Sequence, residues 1–348
     1  MRLDLDTERS IHGLKTALAC LIGFAITQSI HENINQWIII TILVVMCAQS
    51  SVGGVLQKSY MRFFGTVCGS LLSALTLFLF GADPAAIAIT IMIAAILFSY
   101  LATGESKFSE AGTLGAATVV IILMGQNPTL LMAFERFLEI SVGILIAALV
   151  SQFVFPIHAR THLRLNQIQT LLKLKKFYLD TLAIDKTEKE IKEYQELDNE
   201  IIQSLTTQRK LAKDAAKELF GKKFNFKHFN NVLRCEIEIL RSITFMHYSY
   251  KEAPDRKKIF ADIYLLREFH DAICTTLQQI ADNLMDKKSK KISFSLPSIK
   301  LLKTNINENI KHYSMDDSEY LHAYLFCAEI LIAQLKKLAT LIGDIKKE

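Results

Sequence analysis

Six apolar runs crowd into the first part of the chain, at residues 14–30, 37–48, 63–80, 85–101, 111–124 and 137–155. Four of them approach the roughly 20 residues that a helix needs to cross ~30 Å of hydrocarbon. No water reaches the bilayer core to satisfy backbone polar groups, so such segments must be helices that close their own hydrogen bonds. The expected class is therefore all-α. A six-helix transmembrane bundle over residues 1–156 is followed by a cytoplasmic α-helical domain, itself a helical bundle, over residues 157–348.

The other two runs, the second and the fifth, are shorter. Each borders small and polar residues, CAQSSVGG at 47–54 and GESKFSEAGTLG at 104–115, and both read as broken helices. Six spans divide into two sets of three, and an odd number per set gives the halves opposite membrane topology, a 3+3 inverted repeat inferred from topology alone. The second and fifth spans then correspond. A matched pair of interrupted helices is the usual place for a midplane site where half-helix ends coordinate a substrate.

Charge divides the chain in the same way. Residues 1–160 hold 8 Lys+Arg against 9 Asp+Glu, a net of −1, leaving 32 and 26, or +6, for the remainder, so the positive charge of the chain, +5 in all, lies in the second part. That suits a domain beside an anionic membrane surface, and the acids dilute it too much for a nucleic-acid footprint. Segments 31–36, 81–84 and 125–134 lack Lys and Arg, whereas Arg2, Arg9, Lys15, Lys58, Arg62, Lys107, Arg160 and Arg164 fall on the other side. The positive-inside rule then puts both termini in the cytoplasm. The opening MRLDLDTERS has more acids than bases, unlike a secretory signal, and is expected to be retained. The six cysteines form no CxxC pair and read as reduced, space-filling thiols.

Beyond Pro156 the periodicity is that of amphipathic helices, with Ile191, Tyr194, Leu197, Ile201 and Leu205 on one face. Helices are expected near 157–183, 187–220, 226–251, 257–286, 297–312 and 318–346, with KKSKK at 287–291 as a solvated basic loop. No strand is needed.

Charged residues in or beside the spans are costly, on the order of 2 to 4 kcal/mol each, and tend to face a cavity or a partner. They are Lys15, Arg62, Glu105, Lys107, Glu110, Glu135, Arg136 and Glu139. Lys15, Arg62, Lys107 and Glu135 could instead snorkel to the interface. Arg136 and Glu139, three residues apart on one helical face, either neutralise each other or flank a permeation path. Gly65, Gly69 and Ser73, and again Gly143, Ala147 and Ser151, recur every four residues and read as close helix packing. There is no nucleophile elbow, P-loop, dinucleotide fingerprint or zinc spacing, so neither enzyme activity nor a cofactor is expected. His158 and His162, one turn apart, make no metal site without further ligands.

The stretch WIIITILVVMCAQSSVGGVLQKSYMRFFGTVCGSLLSAL resembles the fusaric acid resistance and aromatic acid exporter superfamily, which includes the plant aluminium-activated malate transporters. Trp37, Thr41, Gly53, Arg62, Gly65, Thr66 and Gly69 carry the likeness. Arg136, Glu139, Gly143, Pro156 and Arg160, within RFLEISVGILIAALVSQFVFPIHAR, look like the family's closing helix. The resemblance covers about the first 160 residues and implies outward movement of organic anions, often aromatic carboxylates. A single six-span unit, as in the malate-transporter branch, implies a homodimer.

The expectation is thus an inner-membrane exporter or channel for organic anions, with Lys15, Trp37, Thr41, Glu110, Arg62, Arg136 and Glu139 along its path. Ser50, Ser51, Gly53 and Gly54 would offer backbone N–H groups to an anion at a half-helix start; a simple bend at small residues is the plainer alternative. From another class comes a membrane-anchored scaffold or regulatory protein whose cytoplasmic helices bind a partner.

Overall fold

The computed structural model describes residues 7–29, 36–49, 51–104, 108–125, 128–181, 188–218, 223–252, 264–285, 300, 302–304 and 315–345. Helix is the regular structure throughout these residues, and none of them is in a strand. The chain forms two compact units: Met1–Ala159 with Lys213–Lys222, and Arg160–Ala212 with Lys223–Glu348.

The first unit is built on α1 (Thr7–Ser29), α2 (Trp37–Met46), α3 (Val52–Phe80), α4 (Pro84–Thr103), α5 (Ser109–Leu123) and α6 (Leu130–Phe153). By length and composition, Glu8–Ser29, Val52–Phe80 and Pro84–Thr103 can cross a membrane. The shorter apolar helices α2 and α5, of 10 and 15 residues, rise about 15 and 22 Å at 1.5 Å per residue, less than the hydrocarbon core. Local chemistry sets several boundaries. Ser51, Asp83 and Thr129 each accept the N–H three residues on and so cap α3, α4 and α6, and Pro84 opens α4 where no N–H is needed. Gly81, at φ 61°, ends α3 in a conformation that a side chain disfavours. Phe155, at φ 42° before Pro156, turns the chain out of α6.

This unit inverts the distribution of a water-soluble protein. Phe78, Ile96, Tyr100 and Leu145 are exposed, whereas Lys15, Arg62, Arg136 and Glu139 are buried. A broad apolar exterior around a polar interior is stable in lipid, not in water.

Small residues let the backbones touch. A Cβ on Gly65 would lie 2.6 Å from the Ala111 carbonyl oxygen, and one on Gly69 2.7 Å from that of Gly115, so α3 lies close against α5. Gly112 meets the Phe98 carbonyl oxygen in the same way at 2.6 Å, joining α5 to α4. Gly143 of α6 meets the Ile38 carbonyl oxygen of α2 at 2.8 Å. Leu77, Ala94, Phe98, Val119 and Ile122 fill the α3–α4–α5 side, and Ala19, Ile38, Ile42, Ala147 and Val150 the α1–α2–α6 side.

The second unit is built on α7 (Ala159–Thr181), α8 (Glu188–Ala215), α9 (Phe226–Glu252), α10 (Tyr264–Met285) and α11 (Met315–Ile345). Its core includes Leu174, Phe177, Ile201, Ile239, Phe269, Ile273 and Leu331. A polar file runs through it: Ser204 donates to Asn166 Oδ1 at 3.0 Å and lies 2.6 Å from Thr170 Oγ1, which accepts from Gln208 Nε2 at 3.1 Å. α8 ends at Ala215, short of the expected 220. The helix expected near 297–312, the start of the one expected at 257, and the KKSKK run lie wholly or mostly outside the described residues.

Candidate functional site

Three of the described cations of the apolar first unit are buried, Lys15, Arg62 and Arg136. Lys15 of α1 is 1% exposed, and its Nζ donates to the Ser151 carbonyl oxygen of α6 at 3.5 Å. Arg62, in the third turn of α3, is 7% exposed, and its Nη2 donates to Thr41 Oγ1 of α2 at 3.3 Å. Among the described residues neither Lys15 nor Arg62 has a carboxylate partner. Arg62 also keeps a buried Nε without a hydrogen-bond acceptor. The guanidinium fork therefore has donors left over for a planar anion.

Arg136 is placed differently. It donates to Glu139 Oε2 at 2.6 Å within α6 and lies over the Trp37 ring, 5.4 Å from its centroid. The i,i+3 spacing brings the two charges together, and burial of both explains why each needs the other. Glu110, at the start of α5, pairs with Lys58 of α3 at 3.3 Å in a partly exposed bridge. Glu135 is exposed. Ser50, Glu105 and Lys107 lie outside the described residues.

The Ser51–Gly54 turn is already occupied. Ser51 Oγ accepts the Gly54 N–H at 3.1 Å and donates to Asp214 Oδ2 at 3.2 Å. Gly53 faces the Asp214 backbone so closely that a Cβ would lie 1.9 Å from its carbonyl oxygen. One turn on, Glu218 Oε1 accepts the Ala159 N–H at 2.6 Å, and its Oε2 lies 3.8 Å from His158 Nδ1. Val52 N donates to the Ile157 carbonyl oxygen at 3.0 Å. His12 Nε2 lies 3.0 Å from the Met46 carbonyl oxygen, at the end of α2. Neither Asp214, Glu218 nor His12 is singled out by sequence spacing. The available signal is an acid in the last turn of α8, where the helix dipole disfavours it.

Between α3 and α6 lies an apolar groove of about 260 Å³, lined by Val67, Ser70, Leu71, Ala133, Phe134 and Phe137. Among the described residues no cluster of three His, Cys, Asp or Glu side chains could hold a metal ion.

The model of the fusaric acid resistance protein family matches residues 9–217. The chain is 27% identical over 170 residues to the inner membrane protein YeeA of Escherichia coli K12, covering 49% of this chain and 47% of that protein. It is 28% identical over 153 residues to the multidrug resistance protein MdtO of Shigella flexneri, covering 42% of this chain and 22% of the relative. MdtO of Escherichia coli K12 gives the same figures. The chain thus spans about half the length of YeeA and about a fifth of MdtO. With the family model covering more than half of its residues, this membrane protein belongs to the fusaric acid resistance protein family.

Proposed function

We propose that this protein exports organic anions across the inner membrane through a path in its first unit, with carboxylates, aromatic ones included, as the substrate class. The observation that carries this reading is Arg62, buried, hydrogen-bonded to Thr41 and without a carboxylate among the described residues. A permanent charge in an apolar bundle is retained at a cost of several kcal/mol, which an arriving anion offsets. Lys15 supplies a second such charge nearer the start of α1. Arg136, neutralised by Glu139 and stacked on Trp37, is a framework residue in this reading rather than a first contact. The names of the relatives, an inner membrane protein and multidrug resistance proteins, support efflux. In the same reading α1 to α6 all cross the membrane, α2 and α5 as interrupted spans, with both termini cytoplasmic.

The test is efflux of a panel of organic acids, benzoate-type and dicarboxylate, from vesicles holding wild type, Arg62→Ala or Arg136→Ala at equal abundance. Selective efflux abolished in Arg62→Ala supports the anion path. Efflux no greater than from empty vesicles removes it.

A further inference from the structure

We infer that the groove between α3 and α6 is a binding site for a neutral, one-ring aromatic molecule of the phenol class, entered from the lipid and held by the Ser70 hydroxyl. This site is separate from the anion path and does not depend on it.

Ser70 differs from the hydroxyls that follow it on α3. Ser73 and Thr76 donate to the Gly69 and Leu72 carbonyl oxygens one turn back, at 2.9 Å each, which is how a hydroxyl in an apolar bundle satisfies itself. Ser70 is 8% exposed and lines the groove, and its buried Oγ has no hydrogen-bond partner among the described residues. An orphaned hydroxyl in an apolar setting costs free energy that a polar group on a ligand recovers.

The rest of the groove selects the ligand. Its volume is about 260 Å³, and a cavity of ~150 Å³ already takes benzene, so one substituted ring fits. The lining carries no charged side chain, and a carboxylate would shed its hydration there without compensation, so the ligand is neutral. Phe134 and Phe137 offer ring faces and edges, and Phe63, 6.0 Å from Phe137 between centroids, steadies the second of these. Leu71 and Phe134 are exposed, so the groove opens on the apolar exterior of the bundle. Two other occupants fit worse. A trapped water needs roughly two to four polar partners, and the side chains of the lining supply one. Ser70 stands ten residues before Phe80, the end of α3, or about 15 Å along the axis, half of the ~30 Å of hydrocarbon that this helix is long enough to cross. At that depth a lipid chain presents only methylene and methyl groups, which leave the hydroxyl unsatisfied.

The experiment uses the full chain in lipid nanodiscs and follows, by fluorine NMR, the binding of 4-fluorophenol and of fluorobenzene, which lacks the hydroxyl. Ser70→Ala removes no internal hydrogen bond, so its thermal midpoint is expected to match that of wild type. Its affinity for 4-fluorophenol is expected to fall about fivefold, the worth of one neutral hydrogen bond, while its affinity for fluorobenzene stays the same. Leu71→Trp enlarges an exposed lining residue, filling the groove without entering the core, and is expected to abolish the binding of both probes. Binding of 4-fluorophenol no greater than to empty nanodiscs overturns the site. Equal affinity in wild type and Ser70→Ala overturns it too, leaving an apolar slot for lipid chains, and binding unmoved by Leu71→Trp overturns it by placing the probe elsewhere.

Discussion

Arg62 of α3 reaches Thr41 of α2 at 3.3 Å, and this hydrogen bond is the only one that the described residues give to its buried guanidinium. Thr41→Val keeps the shape of the site and removes the acceptor. Stability is expected to fall by about 1.5 to 3 kcal/mol, the usual worth of a hydrogen bond to a charged group. A thermal scan of detergent-solubilised protein that shows no shift would place the Arg62 charge elsewhere.

Arg136 and Glu139 form a buried pair at 2.6 Å. Either truncation alone, Arg136→Ala or Glu139→Ala, leaves a buried charge and is expected to cost roughly 3 to 5 kcal/mol. The double variant should cost less than the sum of the two, and a double-mutant cycle on unfolding midpoints measures the difference. Strict additivity would mean that the pair is not coupled.

Gly65→Ala would push a methyl group to 2.6 Å from the Ala111 carbonyl oxygen and separate α3 from α5, at an expected cost of about 1 to 3 kcal/mol. Gly13 has nothing within 4 Å of a Cβ, so Gly13→Ala should lie within about 1 kcal/mol of wild type, on the stabilising side. Comparing the two by fluorescence-detected size exclusion after heating separates packing from helix propensity.

Glu236 is wholly buried in α9, and burial pushes its carboxyl up to about 8, with the Gln208 side chain acting against it. The folded state therefore holds a proton that the unfolded chain releases near its ordinary value of 4.5. The resulting stability is fully present below about pH 4.5 and is lost as the pH rises to 8. Burial lowers His270, beside Tyr178 at 2.6 Å, to about 4 from 6.5, so its contribution is present above pH 6.5 and is lost as the pH falls to 4. Glu236→Gln should remove the alkaline decline and leave the acid one. Urea midpoints measured from pH 5 to 8 decide it, and an unchanged slope in the variant would show Glu236 to be hydrated.

Much of the helical framework is legible in the residues. Apolar length marks α1, α3 and α4, and the borders of small and polar residues mark α2 and α5 as short. Trp37 opens the observed α2, and Ser51, Asp83 and Thr129 are cap residues by type. Less legible were the helix ends in the second unit, because amphipathic periodicity continues through the last turn of α8 even though the hydrogen-bonded helix stops at Ala215.

Sequence alone determined what depends on neighbours along the chain: helical period, cap chemistry, and the meeting of Arg136 with Glu139 one turn apart. These contacts follow from 3.6 residues per turn, whatever the rest of the fold does. Only the tertiary structure decided which charge is neutralised and which is not. Lys15 and Arg62 look no different in sequence from residues that snorkel to an interface, and their burial without a carboxylate depends on α6 and α2 covering them. The same is true of Gly53, whose missing side chain is explained by Asp214. Ser51 meets that residue across 163 positions, a contact that no local spacing encodes, because it exists only once helices far apart in the chain have packed.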